Sequence, residues 1–455
     1  MTSSKHSLYK RPVKPEQVLS LGFLVLILIG GLLLALPVCA SGDRSIGLRA
    51  SFFTATSAVC VTGLSIIDAG LDLSVMGQAV LLALIQLGGL GFMAFATLIM
   101  TAFGKRMSLK SRLLLRDSMN QTTLAGMVRL SLLFFLMAII LESIGALLLM
   151  VRFVPLYGAK GVWYSFFTAI SAFCNAGFDL FGSGNSITHL AGESYVLLVL
   201  SSLIVLGGIG FSVILGCLHH RFRWRAFSLH SKIVLSTTAG LLLAGTLLTL
   251  ALEWNNPATL GPLSAWDKLA GSLFQSVTLR TAGFASIDQA SLTDSSKLIS
   301  IPFMFIGASS ASTGGGIKTT TAAMLLLVAL NVSRGRERIS VFGREISAGV
   351  ARRAITIALI GLAMVMISAC IISTIEASKG LDMLDLLFET TSAFSTTGLS
   401  SVGTANLSAA SQWMLMPLMF LGRVGPLTLA FALSNRTECD SSAKIHYPEE
   451  NIMIG

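Results

Sequence analysis

The sequence predicts an all-α polytopic membrane protein whose four repeats surround a pseudo-fourfold central pore. Each repeat has an outer helix, a half-crossing P helix and an inner helix, an arrangement written M1-P-M2. Charged residues form 12% of the chain and apolar residues 53%, a balance that soluble proteins do not have. About eight apolar runs have the length that a helix needs to cross a bilayer. They lie near residues 18–40, 74–103, 128–154, 194–217, 231–252, 296–330, 354–376 and 411–434.

A recurring segment defines the repeats and first appears as SFFTATSAVCVTGLSIID, from Ser51 to Asp68. It is rich in hydroxyl groups, too short to cross a bilayer, and followed by a longer apolar run. Three altered copies follow at intervals of about 110 residues, which indicates that a whole structural unit was duplicated. The four copies contain the triplets Val61, Thr62 and Gly63; Asn175, Ala176 and Gly177; Thr281, Ala282 and Gly283; and Thr396, Thr397 and Gly398.

These triplets have the chemistry of a filter for a monovalent cation. Rings of backbone carbonyls replace the hydration shell of an ion without placing a full negative charge in the membrane. Glycine permits the backbone conformations that aim successive carbonyls inward, and the end of the preceding helix carries a partial negative charge. Calcium sites normally use carboxylates, which all four triplets lack. The triplets therefore favour potassium over calcium, whereas the choice between potassium and sodium depends on filter geometry and stays open.

The third repeat contains a polar interruption where a crossing helix is expected. It comprises Gly307, Ala308, Ser309, Ser310, Ala311, Ser312, Thr313, Gly314, Gly315 and Gly316, followed by Ile317 and Lys318. Such backbone is tolerated at membrane depth only where protein buries it or it lines water. We predict a gate beneath the pore, with an unstructured packing defect as the alternative. A phosphate-binding loop is disfavoured because Ile317 separates the last glycine from the lysine.

Several charged residues fall inside the apolar runs. A charge at the bilayer centre costs about 2.5–3.5 kcal/mol, so Arg423 should face the cavity or, alternatively, pair with a neighbouring helix. Counting from the motif glycines places Arg423 roughly level with Gly88. Arg280 and Glu389 flank the third and fourth triplets and are possible partners. Glu142 has the position of a helix-packing group, with lining of the ion pathway as the less favoured alternative.

Basic clusters between alternate apolar runs predict the topology. By the positive-inside rule these clusters are cytoplasmic, which places both termini in the cytoplasm. They fit contacts with membrane lipids and not a role with nucleic acid, and the six scattered cysteines fit neither disulfides nor zinc. The expected boundaries are a cytoplasmic N-terminus at 1–17, repeats at 18–104, 126–218, 229–332 and 352–435, cytoplasmic loops at 105–125, 219–228 and 333–351, and a tail at 436–455.

The motifs VTG, NAG, TAG and TTG, the interruption ASSASTGGGIK and the helix LGRVGPLTLA together resemble the superfamily of potassium transporters that includes TrkH, KtrB and the plant HKT proteins. Eight crossings resemble its KtrB branch most. The resemblance implies potassium as the transported ion, held only at the four triplets, with no cofactor bound by this chain. It implies a homodimer in the inner membrane on a cytosolic KtrA-type nucleotide-binding ring, with 307–318 as gating loop and Arg423 in the barrier. Sodium dependence, described for the family, cannot be read from the residues.

Two other classes of function fit the sequence less well. A secondary transporter for a small organic solute would build its binding site from broken helices in paired repeats, whereas four half-crossing segments point to a central axis. A membrane-embedded hydrolase would need a nucleophile and a base. The sequence has no Gly-x-Ser-x-Gly motif, and His189, His219 and His220 fall outside the apolar runs, so we expect no enzymatic activity.

Overall fold

A computed structural model describes residues 15–42, 44–91, 127–182, 186–221, 223–335 and 339–425. The first half of the described chain contains helices α1 (Pro15–Leu34), α2 (Leu48–Cys60), α3 (Val75–Leu90), α4 (Met127–Tyr157), α5 (Lys160–Phe173), α6 (Ser194–Ile209) and α7 (Phe211–His219). The second half contains α8 (Leu229–Glu253), α9 (Ala265–Thr278), α10 (Asp294–Phe305), α11 (Thr319–Ser333), α12 (Ala348–Ile375), α13 (Met383–Ser395) and α14 (Ala409–Val424).

The chain is mostly helical, although a short hairpin departs from the all-α expectation. Strands β1 (Ile339–Val341) and β2 (Arg344–Ile346) pair antiparallel, with Ile339 opposite Ile346. The turn between them uses positive φ at Phe342 and Gly343. Two boundaries also differ from the sequence prediction. The first outer helix begins at Pro15 and the fourth at Ala348, a few residues before the expected 18 and 352. The predicted cytoplasmic loop at 105–125 and the predicted tail at 436–455 lie outside the described residues.

The four outer helices are the long, uninterrupted ones. Within the described residues, apolar spans long enough to cross a membrane are Gln17–Leu34, Val128–Tyr157, Leu229–Glu253 and Ala348–Ile375. Each leaves large aliphatic side chains exposed, for example Leu21, Leu147, Leu243 and Leu359. An exposed aliphatic face on a long helix is what contact with hydrocarbon requires.

The inner helices are broken in the part of the chain that the structure describes, including the third one, where the sequence predicts an interruption. The helices α3, α6 and α14 each end at a glycine with positive φ, namely Gly91, Gly210 and Gly425. A residue in that conformation cannot continue a right-handed helix. The chain bends by 96° between α6 and α7, and the third inner helix is interrupted between α10 and α11.

The P helices α2, α5, α9 and α13 occupy the interior. Each packs against the inner helix of the preceding repeat: α5 against α3, α9 against α6, and α13 against α10. The first P helix, α2, packs against α14 of the fourth repeat. The contacts therefore close into a circle, which brings the four glycine triplets to one place.

Serine and threonine caps fix where several of these helices begin. Ser74, Ser264, Thr293 and Ser408 each accept a hydrogen bond from the backbone N–H three residues later. Such caps satisfy donors that the first helical turn leaves free.

Candidate ion filter and intramembrane loop

The residue two positions before each motif glycine adopts the left-handed conformation. Val61, Asn175, Thr281 and Thr396 have φ of 57°, 59°, 65° and 55°. This region is uncommon for non-glycine residues, above all β-branched ones. The four equal deviations show that the triplets share one backbone turn, and the glycines continue it with φ of 92°, 71°, 80° and 89° at Gly63, Gly177, Gly283 and Gly398.

The glycines lie against carbonyl oxygens of the next repeat. A Cβ atom added to Gly63 would lie 2.7 Å from the Ala176 oxygen, one on Gly177 would lie 2.8 Å from the Ala282 oxygen, and one on Gly283 would lie 2.7 Å from the Thr397 oxygen. A Cβ on Gly398 would collide with the Thr62 oxygen. The order of these contacts, first repeat to second, third, fourth and back to first, makes a closed ring of backbone.

All four glycines line one open cavity of about 360 Å³. Its wall includes the carboxylates Asp68, Asp179 and Asp288. Burial raises the pKa of the Asp179 carboxyl to about 6; the Phe181 N–H lowers it in part, and the nearby Asp68 carboxyl raises it further. The mouth of the ring is therefore acidic, and its negative charge changes when Asp179 is protonated.

Hydroxyl groups on the P helices brace the triplets, a feature that the sequence analysis missed. Ser57 Oγ accepts from Gly63 N at 3.0 Å, and Ser392 Oγ accepts from Gly398 N at 3.0 Å. Ser171 Oγ accepts from Phe178 N at 3.0 Å and donates to its carbonyl. The three serines stand six residues before their glycines, and that shared spacing is the signal that would have identified them.

The third P helix is shifted by one residue relative to the other three. Backbone N–H groups of Thr62, Ala176 and Thr397 bond to the carbonyl five residues earlier, whereas Ala282 bonds to Thr278, four residues earlier. Thr278 Oγ1 accordingly takes the bracing role and donates to the Phe284 carbonyl at 2.6 Å. Fully buried Phe274 takes the place that Phe53, Phe167 and Phe388 fill in the other repeats. An alignment of the four copies on their motif glycines places Leu273 there, and the structure shows that this alignment is wrong by one residue.

The inner helices approach the ends of the P helices through glycine. Gly88, Gly207 and Gly422 lie so close to the carbonyls of Val59, Phe173 and Phe394 that a Cβ would collide with each oxygen. The residue after this glycine is Gly89, Gly208 or Arg423. Arg423 is therefore level with Gly89 and not with Gly88.

Residues 307–318 form an ordered, largely buried loop. Ser309 N donates to the Gly208 carbonyl at 3.0 Å, and Thr313 N donates to the Gly207 carbonyl at 3.3 Å. The Ser309 hydroxyl also shares a hydrogen bond of 2.9 Å with the hydroxyl of Thr319, the first residue of α11. These bonds rule out the expected alternative of an unstructured packing defect.

The same loop contacts the base of the triplets. Gly315 N donates to Thr396 Oγ1 at 3.1 Å, and a Cβ on Gly314 would collide with Thr281 Oγ1. Thr281 and Thr396 are the left-handed residues of the third and fourth triplets. The loop thus lies directly against the ring, on the side away from the acidic cavity, because that cavity is lined by residues that follow the glycines.

Arg423 joins the loop to the first repeat. Its guanidinium donates to the carbonyls of Thr313, Gly88 and Gly89, the last at 3.1 Å. The Gly88 and Gly89 carbonyls belong to the final turn of α3, where the helix dipole favours a cation. Lys318 Nζ donates to the Gly314 carbonyl at 2.8 Å, so two basic groups hold the loop by its backbone.

The suggested pairing of Arg280 with Glu389 was wrong. The Glu389 carboxylate accepts hydrogen bonds from Ser400 Oγ at 2.6 Å and Thr404 Oγ1 at 2.5 Å. Arg280 is buried, and its Nε has no hydrogen-bond partner among the described residues. We find no physical reason in the structure for its isolation.

Comparison with known proteins gives consistent results. The family model TrkH, described as a cation transport protein, matches residues 14–445. The chain is 40% identical to the Ktr system potassium uptake protein B of Bacillus subtilis (strain 168) over 97% of both chains. It is 38% identical to the potassium/sodium uptake protein NtpJ of Enterococcus hirae over 100% of both.

A solved structure shares the fold. The crystal structure of the potassium transporter TrkH from Vibrio parahaemolyticus superposes with a TM-score of 0.71 at 18% identity, covering 95% of this chain and 87% of that one. The closed circle of helix contacts, the glycine ring and the extent of these matches lead to one conclusion. The chain belongs to the TrkH family of cation transport proteins.

Proposed function

We propose that this chain is the pore-forming subunit of a potassium uptake system, with the four triplets as its filter. The observation that carries the proposal is the ring of left-handed turns, in which each glycine abuts a carbonyl of the next repeat. Backbone oxygens supply partial negative charges that suit a partly dehydrated monovalent cation. The potassium uptake proteins to which the chain is similar support the choice of ion.

The acidic cavity is the entrance in this proposal. Asp68, Asp179 and Asp288 raise the local concentration of cations before they reach the ring, because acidic walls focus an attractive potential. No carboxylate lies within the triplets themselves. Cations are therefore collected by side chains and selected by backbone.

Residues 307–318 act as the gate. The loop abuts Thr281 and Thr396, so an ion leaving the ring would meet it next. Arg423 and Lys318 add positive charge at this level, which opposes a cation. Opening requires the loop to leave the ring, and this breaks the hydrogen bond that Arg423 donates to the Thr313 carbonyl.

The chain works as a homodimer in the inner membrane, with both termini cytoplasmic, and a cytosolic nucleotide-binding ring of the KtrA type controls the gate. The basic cytoplasmic loops and the tail at 436–455 are the candidate docking surfaces for that ring, and the basic loops also suit lipid headgroups. The whole-chain similarity to the Ktr system protein supports this assembly. Measuring potassium uptake with and without sodium tests whether uptake depends on sodium.

One experiment separates this function from transport of an organic solute. The chain is expressed in a bacterium that lacks potassium uptake, and the purified protein is placed in liposomes for rubidium flux. Growth at low potassium together with rubidium flux that potassium inhibits supports the proposal. Correctly inserted protein that gives neither result refutes it.

A further inference from the structure

Glu142 is an ionisable residue near the middle of α4, and the filter and gate described above make no use of it. Its side chain is only 6% exposed. No ion pair joins it to a basic residue within the described segments of the chain. An ionisable group at membrane depth is costly and is retained where it has a specific partner.

That partner is Gln86 on α3 of the first repeat. Gln86 Nε2 lies 3.0 Å from both Glu142 carboxylate oxygens. Gln86 Oε1 in turn accepts from the Cys174 thiol at 3.3 Å. Because Cys174 directly follows α5, three side chains join the first inner helix, the second outer helix and the base of the second triplet.

The last turn of α3 has a second set of contacts. Two and three residues after Gln86, the carbonyls of Gly88 and Gly89 hold the Arg423 guanidinium, which also holds Thr313 of the gate. On its other face, Gly89 packs so tightly on Cys174 that a Cβ would lie 2.8 Å from the sulfur. One turn of helix therefore receives Arg423 on one side and the Glu142–Gln86–Cys174 cluster on the other.

We propose that Glu142 is a positioning residue for the closed gate: through Gln86 it fixes the last turn of α3, whose carbonyls hold Arg423 against the loop. This inference rests on the proposed gate at residues 307–318. Glu142 touches neither the ring nor the loop in any described contact, so it should govern how often the gate opens and leave ion choice unchanged.

The test measures rubidium flux per inserted molecule, using the full chain alone in liposomes. Glu142→Leu removes the acceptor, and we expect flux to rise about tenfold, the size of one lost buried hydrogen bond. Glu142→Gln keeps an amide oxygen for Gln86, so its flux should stay near that of the unaltered protein. Ser143→Leu, on the exposed face of the same helix, is the matched control and should also leave flux unchanged.

A charge swap guards against simple misfolding. Gln86→Glu alone places two carboxylates together and should raise flux, whereas Gln86→Glu combined with Glu142→Gln restores the pair and should return flux to its original level. The preference for potassium over sodium should stay constant in every variant. Unchanged flux in Glu142→Leu, no rescue by the swap, or a loss of ion preference would overturn the inference.

Arg423→Ala distinguishes failure of this inference from failure of the gate. If Arg423→Ala raises flux and Glu142→Leu does not, the gate stands and the role of Glu142 is refuted. If neither variant raises flux, the proposed gate itself is wrong and the inference falls with it.

Discussion

Replacing the glycine of the fourth triplet should weaken ion selection. Gly398 has φ of 89°, and a left-handed conformation costs a residue with a side chain about 1–2 kcal/mol. A Cβ there would also lie 2.9 Å from Gly63 Cα and collide with the Thr62 carbonyl. Overpacking of a rigid site costs about 1–3 kcal/mol more. Gly398→Ser should therefore destabilise the junction between the fourth and first triplets by about 2–5 kcal/mol.

Part of that energy should be relieved by displacing the Thr62 carbonyl. A displaced carbonyl binds a dehydrated ion less well, so we expect the preference for potassium over sodium to fall about tenfold. A tenfold change corresponds to about 1.4 kcal/mol, which is less than the destabilisation expected from the substitution. The assay compares potassium and sodium uptake by the purified variant in liposomes at equal amounts of inserted protein.

Gly380→Ser is the matched control. Gly380 has φ of 64°, and a Cβ added there would meet no atom within 4 Å. This control carries the backbone strain without the collision, so its ion preference should match that of the unaltered chain. If Gly398→Ser keeps full preference while Gly380→Ser behaves as expected, Gly398 is not a filter residue.

Three further predictions follow from the gate, the entrance and the helix ends. Arg423→Ala should raise flux at least tenfold without changing ion preference, since it removes three hydrogen bonds that hold the loop and α3 together; rubidium uptake measures this, and unchanged uptake would count against the gate. Because burial raises the pKa of Asp179 to about 6, flux should fall as pH drops through about 6, and Asp179→Asn should abolish that step; a step that persists in the variant refutes the assignment. Buried Glu376 accepts from Ser408 N at 2.7 Å and Ser411 Oγ at 2.5 Å, and although its burial raises the pKa of the carboxyl, these bonds and Lys379 hold that pKa at about 2. A lowered pKa stabilises the folded state above the ordinary value of 4.5, so Glu376→Gln should cost about 1–3 kcal/mol at neutral pH, and thermal unfolding should show this loss shrinking as pH falls from 4.5 toward 2.

The triplets and the loop were identifiable from sequence because their residues depart from helix-forming composition. Glycine, serine and threonine within apolar runs mark backbone that is not a continuous helix. Glycines inside membrane helices permit close packing or local bending, and the structure contains both: Gly88 abuts the P helix, and Gly91 ends α3. These features were predictable because the residue type at each position directly limits the local backbone conformation.

Contacts between segments that are distant in the sequence could not be predicted from local composition. Glu142 and Gln86 are neighbours only because α3 and α4 both pack against the second P helix, α5. The one-residue shift of the third P helix could not be predicted because the third copy aligns with the others at its motif glycine. The difference lies in a backbone hydrogen bond: Ala282 N–H bonds to the carbonyl four residues earlier and not five. Only the order of Leu273 and Phe274 hinted at it.

The circular contact order of the ring has a practical consequence. In an assembly of four identical chains, one substitution alters all four junctions at once. Here the junctions are chemically separate: Gly63 faces Ala176, Gly177 faces Ala282, and Gly283 faces Thr397. A single substitution therefore disturbs one junction while three remain intact, and a set of four single variants would measure how much each quarter of the ring contributes to recognising one ion.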